Sequence, residues 1–361
     1  MHMKRVQVVP TWSFRDSEGN QLNPQLFSLL GAIHETGKLT AATSQTGISY
    51  RHGWNLLKTW AAFFGLPLVE MQKGKGAKLT ALGEKLLWAE QRVVARLEPQ
   101  LDSLASELNM EIHRALEGVS PLIRLHASYG YAVALLPGFS EKIQLDLQYK
   151  SAEEALASLN RGVCDVAGFH VPVNGRAGGM SEELYETYNR HLKPRVHKII
   201  KFITRRQGLM IKPDNPKQIE GLQSLVKKDV KFINRQKDSG TRALLDELLS
   251  REGINSQQIK GFDDEEFTHS AVAAFVAAGM ADVGMGVEAA ARQFGLDFIP
   301  LSSEYYLLVC HNRTLKQEAM QRLLDIIRSE PFHQAVGKLP GYSPDDCGDI
   351  VTVDMVFAER N

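Results

Sequence analysis

The chain has 361 residues, more than a single hydrophobic core usually organises, so at least two domains are expected. Hydrophobic residues make up 43% and charged residues 23% of it, which excludes a largely disordered chain. The formal net charge is +0, so attraction of the whole chain to nucleic acid is excluded, and such binding would need a local basic patch.

Neither the cysteines nor the N-terminus indicates secretion. Cys164, Cys310 and Cys347 lie far apart without the spacing of zinc or redox sites, so we expect small buried side chains in a reducing compartment. Residues 1–20 lack an apolar core and a small-residue cleavage site, and no stretch is long and apolar enough to span a bilayer. A cytoplasmic protein without a membrane partner is therefore expected.

The chain first carries the pattern of a helix-turn-helix. A helix is predicted over NPQLFSLLGAIHETG, capped by Asn23 and ended by Gly37. A short helix is predicted over TAATSQT with Thr40 as its cap, and a turn at Gly47 leads to another helix that begins near Ser49. Two helices joined by a short glycine turn are typical of DNA-binding proteins.

A β-hairpin and a long helix are predicted next. The strands are PLVEM and AKLT around the tip KGKG, and Thr80 caps the helix that follows. A helix-turn-helix followed by such a hairpin is a winged helix. Residues 38–80 contain six lysines and arginines against one acid, which favours phosphate binding, although a merely solvated charged face is the alternative.

These residues resemble the winged helix of LysR-type regulators and, more closely, that of the ModE-type molybdate-responsive regulators. The resemblance covers roughly the first hundred residues and rests on GKLTAATSQTGISYRHGW and on the lysine- and glycine-rich hairpin before LTALG. It implies that double-stranded DNA is a partner and that Ser49, Tyr50 and Arg51 lie on a recognition helix. Trp54 and Trp60 are expected in the core, because large rings usually hold a short helix to its domain. The candidate DNA-contacting residues are Thr40, Ser49, Tyr50, Arg51, Lys58, Lys73, Lys75 and Lys78.

A connector with an apolar stripe runs from Thr80 to Leu116, longer than a lone surface helix requires. Pro99 either kinks this helix or starts a second one after Glu98. The stripe favours a partner helix, so a homodimer or tetramer is expected, while packing of its second half on its own chain stays open. The stripe comprises Leu82, Leu86, Ala89, Val93, Leu97, Leu101, Leu104, Leu108, Ile112 and Leu116.

From Pro121 onward strands and helices alternate, which predicts a mostly parallel sheet with ligands at the carboxyl ends of its strands. The chain leaves one half, through GFHVP and a long loop, and returns later through FIPLSSEYYLLV. This order favours two lobes joined by crossing strands.

A strand, a polar turn and a helix N-terminus follow one another in FINRQKDSGTRALLDELL. Ser239, Gly240 and Thr241 would offer hydroxyl and amide donors to an anion there, with Arg242 as a counter-charge. Ser128 would cap the first helix and face them from the other lobe. Ordinary helix capping without a ligand is the alternative for the turn, and a surface position or an interlobe salt bridge is the alternative for Arg242.

Residues 121–361 resemble the periplasmic-binding-protein-like (PBP-like) domain that occurs after winged helices and in molybdenum-cofactor biosynthesis enzymes. The most specific segments are FINRQKDSGTR and THSAVAAFVAAGMADVGMG, while HASYG departs from the Ser-His-Asp that the family often has after its first strand. We therefore predict an α/β fold with a winged helix-turn-helix over 1–80, a linker or dimerisation helix over 81–120, and a two-lobed type II PBP-like domain over 121–361.

The cleft of such a domain would take its ligand from both lobes. Arg205, Arg206 and Arg242 are its cationic options, and Glu304 and Tyr306 open a strand near it, where edge-strand packing is the alternative. His126, His170 and His269 lack metal-ligand spacing, so neither a metal nor a catalytic site is predicted. The candidate ligand-binding residues are Ser128, Tyr129, His170, Arg205, Arg235, Ser239, Gly240, Thr241, Arg242, Gly284, Glu304 and Tyr306.

A one-component transcription regulator is the leading interpretation, with no cofactor and with molybdate, tungstate or a molybdenum-cofactor-related compound as its effector. The effector rests on the two resemblances, and formate or another small metabolite would fit the same cleft. An enzyme on this fold is a weaker alternative, because no nucleophile–base pair is recognisable. A transport binding protein would account for the second domain alone, but not for the basic winged helix.

Overall fold

The structure is a computed structural model of the chain, and it describes residues 6–15, 19, 21–72, 76–116, 121–141, 143–173 and 182–357. The predicted DNA contacts Lys73 and Lys75 lie outside these residues. Within the described ranges, none of the helices combines the length and the apolar character needed to cross a bilayer.

The N-terminal domain is the predicted winged helix. Its elements are α1 Gln25–Thr36, α2 Leu39–Gln45, α3 Tyr50–Phe64, β1 Val69–Gln72 and β2 Gly76–Leu79. Gly37 and Gly65 end α1 and α3 with φ of 64° and 70°, a conformation that glycine adopts without steric cost. Trp60 is 1% exposed and anchors the core between these helices, as expected.

Two predictions for this domain were wrong. Lys38, not Thr40, is the N-cap of α2, because the helix already begins at Leu39, and Thr40 lies exposed in its first turn. Trp54 is 44% exposed rather than buried, because α3 turns its Leu56, Leu57 and Trp60 face to the core and Trp54 lies off that face.

The connector is a single helix, α4 Ala81–Leu116, which continues through Pro99. Thr80 caps it, since its Oγ1 accepts a hydrogen bond from Gly83 N at 3.2 Å. One face packs on the chain's own second domain, where Ala95, Ala105 and Met110 are buried. A stripe along the other face is exposed, consisting of Leu104, Leu108 and Ile112.

The second domain alternates strands and helices around one sheet, which has ten strands among the described residues. Its strands are β3 Leu122–Ala127, β4 Gln144–Tyr149, β5 Val166–Pro172, β6 His197–Ile211, β7 Phe232–Arg235, β8 Glu265–Glu266, β9 Val283–Val287, β10 Asp297–His311, β11 Tyr342–Ser343 and β12 Ile350–Thr352. Its helices are α5 Tyr131–Phe139, α6 Ala152–Asn160, α7 Glu182–His191, α8 Gly240–Arg251, α9 His269–Ala277, α10 Glu288–Gln293, α11 Glu318–Ile327, α12 Glu330–Gly337 and α13 Val353–Val356.

The sheet is mixed rather than mostly parallel. The strand order is β4-β3-β5-β10-β6-β9-β7-β8, with parallel groups at its two ends. Between them β10 and β6 run antiparallel to each other and to their outer neighbours. Each of these two strands has 15 residues and extends across both lobes, as expected for crossing strands. The sequence between β5 and β6 is not only a loop, because α7 lies within it.

Candidate ligand-binding site

A cavity of about 590 Å³ opens between the two lobes and beneath the connector helix α4. The first lobe contributes Ser128, Tyr129 and His170, and the second lobe contributes the turn after β7. Arg205 on the crossing strand β6 forms part of the floor. The volume lies within the range of about 300–1,000 Å³ that is typical of sites for organic ligands.

Three helices begin at this cavity, namely α6, α8 and α9. Their N-caps Ser151, Ser239 and Thr268 each accept a hydrogen bond from a backbone amide of their own first turn. The remaining first-turn amides and the positive ends of three helix dipoles favour an anion in the space that they enclose.

Arg235, the last residue of β7, is a buried cation without a carboxylate partner. Its Nε donates to Gln236 Oε1 at 3.1 Å and its Nη2 donates to Phe267 O at 3.0 Å, so both acceptors are neutral. None of the ion pairs found among the described residues involves it. Burial and the nearby Arg205 lower the pKa of Arg235 to about 10, which leaves it charged at neutral pH. Asp238 and Glu304 compensate this buried charge only in part, and an anion in the cavity would add to that compensation.

Arg205 has the opposite environment. Its Nε donates to Glu304 Oε1 at 2.5 Å, and both side chains are 4% exposed. Burial acts to lower the pKa of Arg205, but the Glu304 carboxylate, Tyr342 and Tyr306 together raise it overall. Its Nη1 is buried and makes no hydrogen bond within normal geometry among the described residues, although Tyr342 lies beside the guanidinium.

Two neutral histidines complete the polar part of the cavity. Burial lowers the pKa of His170 and that of His269 well below the usual value, and Arg205 and Arg235 add to the effect. The Nε2 of His170 and the Nδ1 of His269 are buried and, within the part of the chain that the structure describes, unpartnered. Buried polar atoms are nearly always hydrogen-bonded, so the His170 nitrogen indicates that a ligand or water belongs here, whereas the His269 Nδ1 lies against Gly286 in the core.

The rest of the lining is mixed, with Arg96, Gln100, Lys150, Glu154, Gln236 and Asp238 as its polar members beside apolar and aromatic side chains. The apolar and aromatic members include Leu97, Pro99, Tyr129, Tyr149 and Phe267, the last of which is 58% exposed. An anion-binding end and an aromatic wall therefore share one cavity. This combination suits an organic anion with a flat ring better than it suits a bare inorganic ion.

Eight of the predicted ligand-binding residues line the cavity. They are Ser128, Tyr129, His170, Arg205, Arg235, Ser239, Gly240 and Thr241. The Ser128 side chain does not cap α5, however, because that helix begins after Gly130 with no side-chain cap. Ser128 instead presents its carbonyl to Tyr306 Oη, which donates to it at 2.9 Å.

The other four predicted ligand-binding residues do not line the cavity; they are Arg242, Gly284, Glu304 and Tyr306. The Arg242 guanidinium lies 4.1 Å from the Phe262 ring centroid and pairs with Asp246 at 3.1 Å, one helical turn further on. Gly284 lies in the core of the sheet, where an added Cβ would come within 2.4 Å of Val272 Cγ1.

Glu304 and Tyr306 lie in the middle of the central strand β10 rather than on an edge strand. They support the floor from behind, Glu304 through Arg205 and Tyr306 through Ser128. Arg206, a further cationic option, is 52% exposed and pairs with Glu288.

Sequence reasoning missed several lining residues. Ser151 caps α6 in a capping box with Glu154, and the SAEE sequence is a recognisable signal for it. Arg96 and Gln100 come from the connector, and no local pattern indicates that this helix covers the cleft. Among the described residues no cluster of histidine, cysteine, aspartate or glutamate could hold a metal ion.

The candidate DNA-contacting surface is separate from this cavity. Tyr50, Arg51 and Lys58 on α3 and Lys78 on β2 are exposed. Ser49 is the N-cap of α3 and accepts from His52 N at 3.2 Å, so its side chain has a structural partner as well. Tyr50 and Trp54, four residues apart on the same helix, are both 44% exposed.

Comparison with curated proteins finds three relatives. The chain is 31% identical over 204 residues to the uncharacterized protein YvgK of Bacillus subtilis, an alignment that covers 56% of this chain and 64% of YvgK, less than two thirds of it. It is 40% identical over 110 residues to an uncharacterized protein encoded in the 5′ region of a ferredoxin gene of Clostridium pasteurianum, covering 30% of this chain and 97% of that protein. It is 31% identical over 106 residues to the molybdenum-pterin-binding protein MopB of Rhodobacter capsulatus, covering 28% of this chain and 39% of MopB.

Among solved structures, the chain is similar to OxyR of Corynebacterium glutamicum with bound hydrogen peroxide, at 17% identity and a TM-score of 0.43, covering 87% of this chain and 93% of that one. It is also similar to CbnR, a LysR family transcriptional regulator, at 18% identity and a TM-score of 0.38, covering 84% of this chain and 99% of the CbnR chain. The model of the PBP superfamily domain matches residues 136–328, more than half of the chain. The protein therefore belongs to the PBP superfamily.

Proposed function

We propose that this protein is a one-component transcription regulator whose second domain binds a small anionic effector between its lobes. The observation that carries the proposal is Arg235, a buried cation with only neutral hydrogen-bond acceptors, at the place where three helix N-termini meet. A cleft that holds the buried guanidinium of Arg235 outside any ion pair among the described residues, beside three helix N-termini, favours an anion over a cationic ligand.

A molybdenum-cofactor-related anion is the proposed effector, with molybdate or tungstate next. The resemblance of the winged helix to ModE-type regulators and the similarity to a molybdenum-pterin-binding protein support this class. A tetrahedral oxyanion would occupy only the end near Arg235 and leave most of the 590 Å³ to water. A ring-bearing anion would also cover Tyr129 and Phe267, and formate would fill the cavity least.

The winged helix would bind double-stranded DNA through α3. Its exposed Tyr50, Arg51 and Lys58 would reach the major groove, and Lys78 would contact backbone phosphate. The exposed stripe of Leu104, Leu108 and Ile112 on α4 would be covered by a second copy of the chain, giving a homodimer or tetramer that reads two half-sites.

Calorimetric and thermal-shift titrations of the full chain test the effector. The probes are molybdate, tungstate and a pterin carboxylate, with sulfate and phosphate as controls for unspecific anion binding. A selective ligand at about 100 times its Kd should stabilise the protein by about 2.7 kcal/mol, and Arg235→Met should remove the effect. Wild-type affinity in Arg235→Met would refute the proposed site.

Fluorescence anisotropy tests the DNA-binding part of the proposal, with the DNA segment upstream of the gene that encodes the chain as the probe. Binding should weaken steeply as salt rises, because cations on α3 and the hairpin displace counterions from phosphates. Arg51→Ala should weaken it, whereas replacement of the exposed Glu107 on the connector should not. Equal affinity in wild type and Arg51→Ala would refute the assignment of α3.

A further inference from the structure

The connector helix α4 forms a wall of the cavity, which the two-lobed fold does not require. Arg96, Leu97, Pro99 and Gln100 line the cavity from this helix. Arg96 and Gln100 are both exposed, and the Arg96 side chain retains 45% of its accessible surface. Polar groups of the connector therefore face the same space as the anion-binding end.

Pro99 creates an attachment point between this wall and the second domain. Proline has no amide hydrogen, so in a helix the carbonyl four residues earlier, here that of Ala95, lacks its usual donor. Thr268 Oγ1 donates to this carbonyl at 2.9 Å and accepts from Ala271 N at 2.9 Å. One buried hydroxyl thus joins the N-terminus of α9, which lines the cavity, to the backbone of α4.

Arg96 makes a second connection one residue further on. Its Nε donates to Glu266 Oε2 at 2.6 Å, and the Glu266 side chain is 1% exposed. Glu266 lies in β8 directly opposite Arg235 in the strand register. The Nη groups of Arg96 make no hydrogen bond to any residue that the structure describes, so they can bind an anion while Nε holds Glu266.

The same helix is part of the core of the DNA-binding domain. Leu87 is 1% exposed within that core. Trp88 contacts His34 of α1 at a ring distance of 5.3 Å and Phe294 of the second domain at 6.3 Å. Leu87 and Pro99 are about 18 Å apart along an unbroken helix, which moves as one body over that length.

We infer that the bound effector contacts the connector directly, through Arg96 and Gln100, and that the turn around Pro99 transmits occupancy of the cavity to the DNA-binding domain of the same chain. This inference rests on the proposed function, since it requires an anion between the lobes. The unpartnered Nε2 of His170, buried in the opposite wall, independently indicates a ligand in this space. The effector would thus touch both lobes and the connector at once.

Affinity measurements on the full chain test the direct contact. The titrated probes are molybdate, tungstate, phosphate and a pterin carboxylate, and the variants are Gln100→Ala and the charge-neutral double variant Arg96→Gln with Glu266→Gln. Each variant should weaken the probe that binds wild type by about tenfold, as loss of a hydrogen bond to an anion does. Glu107→Ala, exposed on the same helix away from the cavity, is the matched control and should bind like wild type.

Hydrogen exchange tests the transmission. The α4 amides after Pro99 should exchange more slowly when the probe is bound to wild type. Pro99→Ala restores a backbone amide donor to Ala95 O, so the hydrogen bond from the Thr268 hydroxyl is no longer needed there. The ligand-dependent protection of the α4 amides should then disappear, although the helix itself becomes more stable. Thr268→Val should also remove the protection, and Thr268→Ser, which keeps the hydroxyl, should restore it.

The outcomes distinguish failure of the connector contact from failure of the proposed effector site. Wild-type affinity in both wall variants, together with loss of binding in Arg235→Met, would overturn the inference and leave the effector site in place. Unchanged exchange of α4 on binding would overturn transmission through the connector. If none of the four probes binds wild type, the proposed effector site fails, and the inference fails with it.

Discussion

Replacing Arg235 with methionine should stabilise the ligand-free protein while removing its capacity to bind an anion. The pKa of Arg235 is lowered from 12.5 to about 10 by burial and by the nearby Arg205. At about 1.4 kcal/mol per pH unit, this lowering of the pKa corresponds to a free-energy cost of about 3 kcal/mol for keeping Arg235 charged inside the folded protein. Methionine keeps an unbranched, flexible apolar side chain without the charge, although it is shorter than arginine. After allowance for two lost hydrogen bonds, we expect a net gain of about 1–2 kcal/mol in the free energy of unfolding.

Arg205→Met is the matched comparison and should have the opposite sign. Arg205 pairs with the buried Glu304, so its removal leaves a carboxylate without a partner and should cost about 3–5 kcal/mol. Urea denaturation followed by circular dichroism, without added ligand, measures both changes. A loss of about 2 kcal/mol or more in Arg235→Met would refute the reasoning, because it would mean that the protein itself compensates this charge.

Three further changes have defined outcomes. Below about pH 6.5 the free energy of unfolding should fall by up to about 1.4 kcal/mol per pH unit for each of His170 and His269, because their lowered pKa values mean that the unfolded chain binds protons that the folded chain does not. Urea denaturation from about pH 7 to 5 checks this, and an unchanged slope of stability against pH in the double asparagine variant would contradict it. Leu104→Glu combined with Leu108→Glu should leave the fold intact and abolish self-association in sedimentation velocity, and a wild-type protein that sediments as a single chain would refute the dimer. Trp54→Ala should change the free energy of unfolding by less than about 0.5 kcal/mol yet weaken DNA binding, and unchanged anisotropy would exclude Trp54 from the DNA interface.

Local chemistry made much of the fold predictable. The ends of α1 and α3 coincide with Gly37 and Gly65, since glycine readily adopts the left-handed conformation that ends a helix. Ser239 was recognisable as the cap of α8 for a similar reason, because its hydroxyl and the amide it binds are three residues apart. Patterns of this kind involve only neighbours in the chain.

The site was predictable only in part, because side-chain direction depends on distant residues. Arg235 and Arg242 lie in one short motif, yet only Arg235 lines the cavity. Asp246, four residues after Arg242, was a visible sign that this arginine would pair along its helix instead. The wall formed by Arg96 and Gln100 had no comparable sign, since it depends on how the connector lies across the lobes.

The pairing of Arg205 with Glu304 lies where the two long antiparallel strands pass between the lobes. Fifteen-residue strands hydrogen-bonded to each other cannot separate, so the lobes are left with twisting about these strands as their soft motion. A ligand anion held by Arg205 would therefore sit close to the pivot, where atoms move least. The connector is attached to the second lobe through Arg96 and the Ala95 carbonyl. Under the proposed function, a twist of that lobe around the anion would carry the connector, and the winged helix joined to it, in the same direction.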